Sequence, residues 1–208
     1  MTRNTALFFG VILLLPFLLT IWLDVLPTDQ AMSIIREDGP VENLSAAGYF
    51  VCALLTLLLA GRLRFPLVFI FLLVSLGLRE LDLQYWIAPL YRGGFEKLAL
   101  WWQLLIVAYG ATLGTCLFQL ARYCAKPFVK GLFEFSPAAV ATFLAALAMV
   151  LSTMLDAGNG AVQIFDLTMS GYTRNYLEET VEMFIPVFFM LSLLIFFLSN
   201  PFAHFSKH

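Results

Sequence analysis

The chain alternates long apolar runs with short polar connections. Six runs reach or approach spanning length: residues 7–25, 44–61, 66–86, 99–121, 137–155 and 181–198. A helix rises about 1.5 Å per residue and a bilayer core is about 30 Å thick, so runs of about 20 apolar residues read as membrane-spanning helices. The pattern predicts an all-α polytopic membrane protein, a single domain over residues 1–208 built as a six-transmembrane-helix bundle. No repeat of roughly 20 to 50 residues divides it.

The third run departs from the pattern. Its apolar part, residues 66–78, has 13 residues, about 20 Å of helix, and is followed by Arg79-Glu80-Leu81-Asp82. Either the helix carries these charges on to Trp86, or it breaks early into a protein-lined cavity. At such depth each charge costs about 2.5–3.5 kcal/mol unless paired or wetted, which makes the tetrapeptide a site candidate.

Composition supports the membrane reading, because at 61% hydrophobic and 12% charged residues the chain has too little polar surface for a soluble sphere. Charge then sets the topology. Alternate connections hold Arg3, then Arg62 and Arg64, then Arg122, Lys126 and Lys130, then Lys207, with only Glu134 opposing them. The basic side is expected to be cytoplasmic, with both termini inside a bacterial inner membrane. The first run, 7–25, is too long for a secretory signal and lacks a small-residue cleavage site, so it reads as a retained signal anchor. Three scattered cysteines, Cys52, Cys116 and Cys124, make no disulfide framework. Gly110-Ala-Thr-Leu-Gly114 and the alanines of 138–148 allow close helix approach. They read first as packing within the chain and second as a homo-oligomer contact.

Thirteen of the fourteen acidic residues fall on the opposite, outer face. Three clusters are expected at one depth there. Arg36-Glu37-Asp38-Gly39-Pro40-Val41-Glu42 leads into the second helix, Arg79, Glu80 and Asp82 finish the third, and Glu178-Glu179-Thr180-Val181-Glu182 opens the sixth, with Asp156 closing the fifth. On a helix Glu178 and Glu182 share a face, as do Glu179 and Glu182, and Arg79 and Asp82. Carboxylates that close repel unless a cation answers them, and Arg79 is the internal candidate. A structural explanation competes with this one. Arg79 can simply staple helices through Glu80, Asp82 or Glu182, while Glu42, Glu178 and Glu179 answer helix N-termini and Asp38 caps the second helix.

The candidate ligand set is therefore Arg79, Glu80, Asp82, Glu178, Glu179, Glu182, Asp38, Glu42 and Asp156. If a metal binds, Glu80, Asp82, Glu179 and Glu182 offer oxygens suited to a hard cation, calcium or magnesium. No cofactor is predicted. The two histidines, His204 and His208, lie in the tail on the basic side, so an outward zinc centre or serine–histidine triad is not expected. Nothing in the sequence points to haem, nucleotide or nucleic acid.

The segments 36–45, 79–82 and 178–183 together resemble a group of small six-helix bacterial inner-membrane proteins to which no activity is attached. A fainter likeness is to the ceramidase-like membrane hydrolases. That family's zinc site requires histidines this chain lacks, so only a similar helical bundle is implied. The sequence therefore supports three functions. The first is an outward acidic pocket that binds or transports a cation or a cationic or lipid ligand. The second is an outer-leaflet lipid- or glycolipid-modifying enzyme working through carboxylates. The third is an assembly or sensor subunit whose outer loops bind a protein.

Overall fold

A computed structural model of the chain describes residues 14, 18–23, 25–35, 39–81, 95, 98–155 and 171–199. These are helical throughout their regular structure, with no strand among the described residues. Short α1 (Thr28–Ile35) is followed by α2 (Pro40–Leu58), a 3-10 turn at Ala60–Arg62, α3 (Pro66–Glu80), α4 (Leu100–Phe133), α5 (Pro137–Leu155) and α6 (Gly171–Ser199). Residues 18–23, within the first predicted span, are helical too. Four stretches among the described residues are long and apolar enough to cross a membrane: Thr28–Leu58, Leu100–Phe133, Pro137–Leu155 and Thr173–Leu198. The 15-residue α3 is shorter, about 22 Å.

The core lies between α2, α3, α5 and α6. Tyr49, Cys52 and Ala53 of α2 meet Leu73 of α3, Ala145 and Ala148 of α5 and Ile185 of α6. The alanine run does what small residues allow: Ala141, Ala145, Ala148 and Ser152 are buried along one stripe of α5, the helix that packs most extensively on α6. Gly48 of α2 performs the same service opposite Pro186, where a Cβ would come within 2.9 Å of the proline ring.

Four expectations about the helices change. The third helix stops at Glu80 instead of running to Trp86, with the Leu81 N–H folding back to Gly77 O at 3.2 Å. The fourth continues past residue 121 to Phe133, because Arg122, Lys126 and Lys130 are good helix formers that an apolar-run reading assigns to a connection. It ends where Phe135 adopts a left-handed φ of 51° and Ser136 N–H bonds back to Gly131 O at 2.8 Å. The sixth starts at Gly171, ten residues before Val181, and Tyr176 anchors this polar extension by donating its hydroxyl to Thr20 O at 2.8 Å. α1 was not expected at all. It buries Ala31 and Ile35, and Ile35 joins Leu23, Val41 and Met183 in a small core.

The expectation for Gly110 and Gly114 also fails as packing within the chain. Among the described residues nothing lies within 4 Å of a Cβ at either. α4 stands at the edge of the bundle with one buried residue, Cys116, and leans on α3 through the ring pairs Phe65–Tyr123 and Phe71–Tyr109, whose centroids are 5.2 and 5.6 Å apart.

Candidate functional site

At the end of the bundle where α3 finishes, two glutamates are buried: Glu80 is 4% exposed and Glu182 8%. Arg79 donates from Nη2 to Glu182 Oε1 at 3.1 Å, and Ser152 of α5 donates to the same oxygen at 2.5 Å. Glu182 thus joins α3, α5 and α6 through one carboxylate oxygen.

Pro186 shapes the next contact. A proline inside a helix has no N–H, so the carbonyl four residues earlier loses its donor. That carbonyl belongs to Glu182, and Ser45 of α2 reaches it with Oγ at 3.4 Å. One turn on, Cys52 Sγ lies 3.3 Å from Pro186 O. Two α2 side chains therefore hold α2 to α6 at the interruption in its backbone ladder.

Glu80 is held less completely. The Ser45 hydroxyl lies within reach of its carboxyl as well as of Glu182 O, but a hydroxyl has one proton to give. Among the described residues Glu80 Oε2 is buried with no hydrogen-bond partner, and so is the Tyr49 hydroxyl, which shares the fields of Glu80, Glu182 and Arg79. A buried polar atom without a partner costs about 1–3 kcal/mol, and here two lie together.

Half-buried Glu42, Glu178 and Glu179 complete the surroundings, each within electrostatic range of Glu179 or Glu80. The structure therefore brings together Arg79, Glu80, Glu182, Glu42, Glu178 and Glu179 of the nine ligand candidates. Asp38, Asp82 and Asp156 lie outside the described residues. Two structural explanations for individual acids are corrected. The N-cap position of α2 is taken by Gly39, which has no side chain to cap with, and Asp38, expected there, lies outside the described residues. Glu178 and Glu179 sit two turns inside α6, beyond the reach of its N-terminal partial charge. Among the described residues no three His, Cys, Asp or Glu side chains are arranged to hold a metal ion.

No family model, no curated protein and no solved structure matches this chain. Its site has to be read from its own residues.

Sequence reasoning missed Ser45, Ser152 and Tyr49. The proline at 186 was a usable signal, since it marks a carbonyl in need of a donor. Nothing local announced which helix would supply one. Arg79 also lines an apolar cavity of about 830 Å³ between α3, α4, α5 and α6. Three of the five hydroxyls in its walls bond nearby carbonyls: Thr56 donates to Cys52 O at 2.8 Å, Thr142 to Ala138 O at 2.9 Å and Ser192 to Ala138 O at 3.0 Å; the other two belong to Ser75 and Tyr109. Among the described residues Arg79 is the one charged side chain that lines it.

Proposed function

We propose that the protein is a six-span membrane protein of the bacterial inner membrane, with cytoplasmic termini and an outward-facing acidic site that binds a cationic group. The group is a small cation or the ammonium of a lipid, and kinship with the small six-helix inner-membrane proteins belongs to the same reading. The distribution of basic residues supports the orientation, because Arg64, Arg122, Lys126 and Lys130 all lie at the opposite end of the bundle from Glu80.

Glu80 Oε2 carries the binding assignment. Among the described residues it is a buried carboxylate oxygen without a partner, and the two buried carboxylates, Glu80 and Glu182, face a single guanidinium. A staple needs one acid for one arginine. The second acid is left with its desolvation cost, which a bound cation or ammonium would offset. Transport, as opposed to binding, would need an opposite-facing state of the same site.

The test is thermal unfolding of the detergent-purified protein against calcium, magnesium, sodium and ethanolammonium salts at matched ionic strength. A ligand present at 100 times its Kd stabilises by about 2.7 kcal/mol, and that shift should vanish in Glu80→Gln. If every salt acts alike and Glu80→Gln merely changes the baseline, the site is a staple and the proposal fails.

A further inference from the structure

We propose that the acidic site and the cavity beneath it form one binding site for a zwitterionic phospholipid with a primary ammonium headgroup, whose acyl chain lies in the cavity. The proposal rests on the reading of the acidic site above and names its ligand.

Three features fit this occupant. The first is placement. Arg79 is the last-turn residue of α3 that both contacts Glu182 and lines the cavity, which runs back along α3 as far as Phe69. Ten residues of helix are about 15 Å, half of a hydrocarbon core of about 30 Å. The cavity thus has the depth of one leaflet, with its charged end where a headgroup would sit. On α6 its walls begin at Phe189, two turns further along the helix than Glu182, so the polar and apolar parts follow one another along the same axis.

The second is wall chemistry. Leu73, Leu76, Leu113 and Leu117 face the space, and its volume of about 830 Å³ lies within the usual range for small-molecule cavities. The hydroxyls of Thr56, Thr142 and Ser192 are bonded to nearby carbonyls, and apart from these, Ser75, Tyr109 and Arg79 the walls offer an acyl chain only apolar side chains.

The third is the order of charges. The guanidinium stands at the boundary between cavity and acidic cluster, and carboxylates lie beyond it. A phosphodiester on Arg79 followed by an ammonium on Glu80 Oε2 reproduces that order. A guanidinium has five N–H donors and suits phosphate, and an ammonium has three donors for oxygens such as Glu80 Oε2 and Tyr49 Oη. An anionic lipid would match the arginine and oppose the glutamates; a quaternary ammonium has no N–H to donate.

The test uses delipidated full-length protein in mixed micelles containing phosphatidylethanolamine, phosphatidylcholine or phosphatidylglycerol, or with soluble glycerophosphoethanolamine. Lipid retention by native mass spectrometry and the unfolding midpoint are the readouts. One phosphatidylethanolamine per chain should be retained, and the midpoint should rise more than with the other two lipids. Glu80→Gln should abolish that preference. Leu113→Trp and Ser75→Phe fill the cavity from α4 and α3, and each should weaken lipid retention by at least about tenfold, about 1.4 kcal/mol, while leaving the response to ethanolammonium intact. If both filled variants retain the lipid as the wild type does, or if the soluble headgroup stabilises as strongly as the lipid, the chain is not in the cavity and this inference fails while the acidic site stands. If phosphatidylethanolamine, phosphatidylglycerol and ethanolammonium are all indifferent to Glu80→Gln, the inference and the acidic site fail together.

Discussion

Ser45 of α2 donates its hydroxyl, at 3.4 Å, to the backbone carbonyl of Glu182 in α6, the carbonyl that Pro186 deprives of its helical donor. The same side chain lies within reach of the Glu80 carboxyl. A helix interruption and an ion-pair site are thereby joined through one serine, which places the buried carboxylate on the residue whose backbone is least supported by its own helix.

That relationship predicts a coupling. Ser45→Ala leaves Glu182 O buried without a donor and should cost about 1–3 kcal/mol. Pro186→Ala restores an N–H at the right position, so the serine should matter less in its presence. In a double-mutant cycle read by thermal unfolding, an interaction energy of about 0.5 kcal/mol or more is expected. Strict additivity would mean that Ser45 stabilises by packing alone.

Glu182 is the second lever. Its Oε1 accepts from both Arg79 and Ser152, so Glu182→Ala removes two bonds at once. Because Arg79 is 42% exposed, water can take up part of the loss, and a cost of about 1.5–3 kcal/mol is expected. Ser152→Ala should cost less, because Arg79 remains to answer Glu182. Equal losses in the two variants would show that the serine, not the ion pair, fixes the carboxylate.

Parts of this arrangement were legible in the sequence and parts were not, for definable reasons. Arg79 and Glu80 stood out because charge next to a 13-residue apolar run has to be explained by something other than solvent. The break at Glu80 was one of two alternatives, and hydropathy cannot choose between them because both keep the charges near the membrane. The early start of α6 was hidden for a related reason: residues 171–180 are polar enough to read as a loop, and their helix is held by a contact from Tyr176 to a backbone 156 residues away. Ser45 and Ser152 look like ordinary membrane-helix serines until the register of α2 and α5 against α6 is known. The cavity depends on α4 standing apart from the bundle, and its sequence, with small residues at Gly110 and Gly114, suggested the opposite.

The glycines divide accordingly. A Cβ at Gly48 meets Pro186 at 2.9 Å, and one at Gly77 meets the Phe50 ring at 3.1 Å and Tyr49 Cβ at 3.3 Å, whereas one at Gly110 or Gly114 meets nothing within 4 Å among the described residues. Gly48→Ala is expected to destabilise by about 1–3 kcal/mol through overpacking. Gly110→Ala should be neutral or stabilising by up to about 1 kcal/mol, the helix-propensity difference between the two residues. Loss of stability in Gly110→Ala, together with a change in oligomeric state, would instead assign that face to a second copy of the chain.

Cysteine labelling tests the orientation on which the outward-facing site depends. All three cysteines are free thiols. Cys52 and Cys116 are buried, and Cys124 is partly exposed on the half of α4 that carries Arg122, Lys126 and Lys130. A membrane-impermeant maleimide should therefore report on Cys124, since reaction requires access to the thiolate. With the basic end of the bundle cytoplasmic, as proposed from the charge distribution, intact cells should show little labelling. Inverted membrane vesicles should label, and Cys124→Ser should remove the signal. Labelling of intact cells that disappears in Cys124→Ser would invert the topology, turn the Arg79–Glu182 site toward the cytoplasm and move the leaflet from which a lipid could enter to the inner one.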